Sequence, residues 1–161
     1  MATSSMIHQP TPYTDHTVEV AGLKLHVQDY GATGKPVILC VHGGAAHAHW
    51  FDFVAQGFNN DFHVLAYDQR GHGDSEWHRA PEPDYSYERY AADLHELTEK
   101  LDLKDFILVG HSMGGVVSEP GLFARGGYAT AGAVVDPTDL SAILQQQRQS
   151  FGPWSAAGPY G

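Results

Sequence analysis

Three short runs are apolar almost throughout: Pro36-Val-Ile-Leu-Cys-Val41, His63-Val-Leu-Ala-Tyr67 and Phe106-Ile-Leu-Val109. A strand with one wet face alternates polar and apolar residues, whereas a continuous run of this length suits a strand covered on both faces. The second and third runs each follow a segment with helical periodicity. Between Tyr87 and Leu101, the residues Tyr87, Tyr90, Ala91, Leu94, Leu97 and Leu101 recur at spacings of three and four and share one face. Buried strands joined by helix-length crossovers restrict the chain to the α/β class, with a doubly wound, mostly parallel sheet. Strands are expected near 37–42, 63–67 and 106–110, with a weaker one at 133–135. Ahead of them, Thr17-Val-Glu-Val-Ala, Gly22 and Leu23-Lys-Leu-His-Val-Gln alternate around a glycine turn, the pattern of a half-exposed hairpin.

A length of 161 residues fits one domain. Residues 1–15 are polar, hold Pro10 and Pro12, and read as a loose leader; residues 16–150 form the domain, with a short helix expected at 140–149. Residues 151–161 are rich in Gly, Pro and Ala and read as a flexible tail. Hydrophobic residues make up 42% of the chain, too many for a wholly disordered protein. Nine Lys and Arg against nineteen Asp and Glu give a net charge of −10, which repels phosphate backbones and anionic lipid heads. Nucleic acid and membrane are therefore not expected as partners. The single cysteine, Cys40, forms no intrachain disulfide, and the N-terminus lacks a basic start followed by an apolar run, so a cytoplasmic location is expected.

The chemistry concentrates in Leu108-Val-Gly110-His-Ser112-Met-Gly114-Gly115, a G-x-S-x-G placed after an apolar strand and before a start of helix rich in small residues. A serine hydroxyl becomes a useful nucleophile when a sharp strand-to-helix turn holds it out, with glycines on both sides allowing close backbone approach. A second signal, His42-Gly43-Gly44, ends an earlier buried strand, where open α/β sheets bind ligands. Backbone N–H groups of a glycine-rich loop there can face a developing oxyanion. A third segment, Tyr67-Asp-Gln-Arg70-Gly-His-Gly-Asp74-Ser75-Glu-Trp77, reads as structural, with Arg70 expected to pair with Asp74 and with His72 and Asp74 ordering the loop. His47, His49 and Asp52 could chelate a metal but match no strong signature. No metal and no cofactor are expected.

Together, V-H-G-G with Trp50 downstream, Y-D-Q-R-G-H-G-D-S and L-V-G-H-S-M-G-G resemble the α/β-hydrolase family, in its serine-nucleophile esterase and lipase branch, over about Gly22 to Asp139. The resemblance implies that Ser112 is the nucleophile, that the N–H groups of Met113 and Gly44 form the oxyanion hole, and that the substrate is a small ester-like molecule processed through an acyl-enzyme. In this family the triad runs Ser, then Asp or Glu, then His. Here all eleven histidines precede Ser112, and the acids after it are Glu119, Asp136 and Asp139. Asp136, just past the 133–135 strand, resembles an alternative acid position. By the same comparison the sheet is cut short after about its sixth strand, and Pro120 breaks the helix that follows the nucleophile. Two functions follow: a serine hydrolase impaired as this chain, or an inert scaffold that binds a small ligand or partner. An exposed final strand would invite self-association.

Overall fold

The computed structural model describes residues 9–118 and 133–134. Its strands are β1 (Thr14–Val20), β2 (Leu23–Asp29), β3 (Val37–Val41), β4 (His63–Tyr67), β5 (Phe106–Gly110) and β6 (Ala133–Val134). The helices are α1 (Tyr87–Lys100) and α2 (Met113–Val117). They form one sheet in the order β1-β2-β4-β3-β5-β6. β3 pairs in parallel with β4 on one side and β5 on the other, and β6 continues in parallel beside β5. β2 runs antiparallel to both β1 and β4. The chain leaves β3 first toward β4 and later returns to its other side as β5. The order therefore reverses at β3, and the carboxyl ends of β3 and β5 mark the point at which open α/β sheets bind their ligands.

The unbroken apolar character of β3 and β4 has the expected cause. Leu39, Val41, Leu65 and Tyr67 face one layer with Leu25, Val27, Tyr90, Leu94, Leu97 and Val117. Ile38, Cys40, Val64 and Ala66 face the other, against Tyr30, Ala48, Phe51 and Ala55. Helix α1 starts at Ser86, whose hydroxyl accepts the Arg89 N–H at 3.2 Å, and it buries Tyr90, Ala91, Leu94 and Leu97. Tyr87, expected on that face, is half exposed, because it occupies the first turn before the helix reaches the sheet.

The hairpin closes on a two-residue turn in which Ala21 (φ 48°) and Gly22 (φ 75°) both adopt left-handed backbone. That geometry matches the right-handed twist of the flanking strands. Two expectations differ from what forms. The crossover from β3 to β4 carries only two 3-10 turns, Ala48–Phe51 and Ala55–Gly57, rather than an α-helix. The leader is also shorter than expected: Thr14 and Asp15 open β1, and the buried Thr11 donates its N–H to the Asp52 carbonyl at 3.0 Å. No helix among the described residues is long and apolar enough to cross a membrane. The helix expected at 140–149, the tail at 151–161 and the break at Pro120 lie outside the described residues.

Candidate active site

Ser112 stands between β5 and α2 with φ 53° and ψ −119°, exposed, its side chain making no capping hydrogen bond. A non-glycine residue in this region costs about 1–3 kcal/mol, so the surroundings must impose it. They do so through glycine. A Cβ on Gly110 would lie 2.5 Å from the Gly114 carbonyl oxygen, and one on Gly114 would lie 2.5 Å from the His42 carbonyl oxygen and closer still to that of Val41. Backbone thus packs directly on backbone on both sides of the serine, and the His111 N–H, donating to the Val41 carbonyl at 2.9 Å, fastens the turn to the end of β3.

The loop after β3 covers the same turn. A Cβ on Gly43 would sit 3.0 Å from both Ser112 Cβ and His111 Nδ1, and one on Gly44 would reach Met113 Sδ at 3.8 Å. Gly44, in the loop after β3, and Met113, the first residue of α2, therefore come together beside Ser112. Among the described residues, no hydrogen bond uses the N–H of either. His42 fixes this loop. Its buried ring accepts the Gln69 N–H at Nε2 (3.0 Å) and donates from Nδ1 to the Gly43 carbonyl (2.7 Å), while the Gln69 side chain donates to the His42 carbonyl (2.8 Å). Since a backbone N–H can only donate, Nε2 is the bare nitrogen. Burial holds the His42 pKa below its ordinary value, and the ring stays neutral. Neither nitrogen is free to take a proton from Ser112.

The segment after β4 ties neighbouring loops together. The buried Asp68 carboxylate accepts the N–H groups of Ala48 (2.6 Å) and Asp74 (2.9 Å) and lies 2.8 Å from His26 Nδ1. A side chain at Gly73 (φ +49°) would run into that carboxylate. Arg70 does not pair with Asp74 as expected. It grips Asp93 on α1 through Nε and, at 2.8 Å, through a terminal nitrogen, and Arg89 holds the same carboxylate at 2.7 Å. Asp74 instead contributes its backbone N–H to the loop, and the buried Arg70 is paired with a carboxylate that is itself buried. His72 donates to the Arg70 carbonyl at 3.0 Å, a loop-ordering role like that expected of it.

The remaining expected positions separate. Asp136 lies outside the described residues. His111 is exposed and packs its ring on Trp50, centroids 5.1 Å apart. His49 pairs with Asp52 at 3.0 Å, while His47 contributes only a ring contact with His49. The three do not bring donor atoms together as a metal centre would. The cluster that does converge is His26, Asp68 and Asp74. Both ring nitrogens of His26 already face carboxylates, with Nε2 2.6 Å from Asp15. Burial lowers its pKa, and the hydrogen bonds and charges of Asp15 and Asp68 outweigh it, so the net shift is upward. This is the setting of an imidazolium rather than a metal ligand. Sequence reasoning missed His26, Asp68 and Asp93 because each owes its role to a partner distant in the chain.

A parallel sheet that reverses at β3, a strained serine between β5 and α2, and a glycine loop laid against it define a class. A family model described as alpha/beta hydrolase fold matches residues 36–118, and the chain belongs to that family. It is 35% identical over 105 residues to epoxide hydrolase A of Mycobacterium tuberculosis, covering 65% of this chain and 32% of that protein. It is 36% identical over 96 residues to a non-heme chloroperoxidase of Kitasatospora aureofaciens, covering 58% and 33%. Among solved structures, an alpha/beta hydrolase from Novosphingobium aromaticivorans superposes with a TM-score of 0.64 at 30% identity, covering 73% of this chain and 41% of that one. The chain spans about a third of the length of the curated relatives it matches.

Proposed function

We propose that the chain carries the nucleophile half of a serine hydrolase acting on small ester-like acyl substrates. The observation that carries this reading is the Ser112 backbone, held at φ 53° with its hydroxyl exposed against the Gly43–Gly44 loop. In this reading the Ser112 oxygen attacks the acyl carbonyl, and the N–H groups of Gly44 and Met113 receive the oxyanion; the leaving alcohol departs and an acyl-serine remains for water to cleave. The hydroxyl proton needs a base. No histidine follows Ser112 in the sequence, and His42 has both nitrogens engaged, so the chain turns substrate over slowly by itself. Asp136 is the acid this reading assigns. The acidic surface favours a small-molecule substrate over nucleic acid, and the reduced, buried Cys40 fits a cytoplasmic setting.

A second reading, an inert scaffold, is favoured by the order of the histidines. Hydrolysis of p-nitrophenyl acetate by the chain and by Ser112→Ala separates the two. The hydrolase reading expects slow turnover that disappears in the variant, since loss of a triad member leaves residual catalysis from oxyanion stabilisation. Equal rates in the two proteins refute it.

A further inference from the structure

His26 lies in the middle of β2 with its ring clamped between Asp15 of β1, 2.6 Å from Nε2, and Asp68 past the end of β4, 2.8 Å from Nδ1. Acceptors at both nitrogens call for a ring that carries both protons. The two carboxylates differ in what they can do without it. The Asp68 side chain is 1% exposed and holds the Ala48 and Asp74 N–H groups, so it cannot turn to water. The Asp15 side chain is 66% exposed and can. It sits on β1, which among the described residues is an edge strand paired only with β2 and whose Thr14–Thr17 are all exposed.

We propose that the Asp15–His26 contact is a pH-operated latch on β1. When the imidazolium loses a proton, the one that remains stays on Nδ1 with Asp68, and the bare Nε2 lone pair faces the Asp15 carboxylate. The Thr14–Thr17 end of β1 then parts from β2 while the loops gathered on Asp68 keep their places. The opening is bounded: Thr11 stays fastened to the Asp52 carbonyl, and Val20 stays in the core. Parting uncovers the backbone edge of β2, a template for strand addition.

The other groups around the latch fit this assignment. Asp74 brings a third carboxylate into the His26–Asp68 cluster, and the Ser75 hydroxyl accepts the backbone N–H of His26 at 2.8 Å. On β1, His16 reaches Asp29 at 3.7 Å, Asp29 also holds His63 of β4 at 2.7 Å, and Glu19 lies opposite Lys24 of β2. Among the described residues, no Lys or Arg pairs with Asp15 or Asp68. Among the described residues, His26 is thus the cation that pairs with each of the two carboxylates.

Amide hydrogen exchange read by mass spectrometry on the full chain between pH 5.5 and 9, corrected for intrinsic exchange, tests the latch. Protection of a peptide spanning residues 12–20 should fall by about tenfold per pH unit once His26 deprotonates, as a single linked proton requires. Peptides holding Ala48 and Asp74 should keep theirs. His26→Gln and the surface change Asp15→Asn should each abolish the pH dependence, and His16→Gln should leave it intact. A flat profile in the unaltered chain overturns the proposal. So does a fall that persists in Asp15→Asn, or loss of protection at Ala48 in step with β1.

Discussion

Gly114 and Gly115 are neighbours on one short helix, yet an added methyl should have opposite consequences at the two. At Gly115 the nearest heavy atom to a new Cβ is the Gly110 carbonyl oxygen at 3.5 Å, an ordinary contact. Alanine there keeps the helical gain of about 0.5–1 kcal/mol over glycine. At Gly114 the new Cβ would lie 2.5 Å from the His42 carbonyl oxygen and 2.7 Å from the Val41 carbonyl carbon, both backbone atoms of a central strand and the loop it feeds. Backbone cannot swing aside as a side chain can, so overpacking of about 1–3 kcal/mol or more exceeds the helical gain. Gly114→Ala should therefore lower stability and Gly115→Ala should raise it slightly; the helical gain is common to both, so the gap between them is the overpacking cost of about 1–3 kcal/mol. At about 2–4 °C per kcal/mol for a chain of this size, circular dichroism melts should place the variants about 2–12 °C apart. Equal melting temperatures, or a more stable Gly114→Ala, would show that α2 does not press on β3 and that the strain at Ser112 has no such origin.

Asp93→Ala should destabilise by about 3–5 kcal/mol in urea titration, because Arg70 would be buried without a counter-charge, while Arg70→Met combined with Asp93→Leu should be much milder. Ala21→Asn should raise stability by about 0.5–1 kcal/mol in the same assay, since asparagine tolerates the left-handed turn that alanine occupies at φ 48°. Stability against pH should peak near the ordinary histidine value of 6.5. The raised pKa of His26 makes its contribution complete below 6.5 and lost as pH rises through the folded value. The lowered pKa of His42 makes its contribution complete above 6.5 and lost as pH falls through the folded value. Chemical denaturation across pH should show His26→Gln flattening the alkaline side and His42→Gln the acid side.

Local pattern made the sheet legible. β3, β4 and β5 announce themselves because cover on both faces leaves the runs apolar apart from His63 at the start of β4, and α1 because its core face repeats at helical spacing. The turn at Ser112 was legible for a related reason: glycine at 110 and 114 is what close backbone packing demands. The 3-10 crossover was not, since Ala48, Phe51 and Ala55 have spacings that suit a helix until the Thr11 and Asp68 hydrogen bonds fix a tighter path. Charged partners were the least legible. Arg70 with Asp93, and His26 with Asp15 and Asp68, are joined by topology across many residues, and a nearby acid such as Asp74 is the natural but mistaken choice.

The central claim, that the strained turn makes Ser112 a nucleophile, is tested most directly by incubating the chain with a fluorophosphonate probe and locating the adduct by peptide mass mapping. The account predicts a single adduct on Ser112, absent from Ser112→Ala and reduced in Gly114→Ala. An adduct distributed over exposed serines such as Ser86, with Ser112 no more reactive than they are, would contradict it.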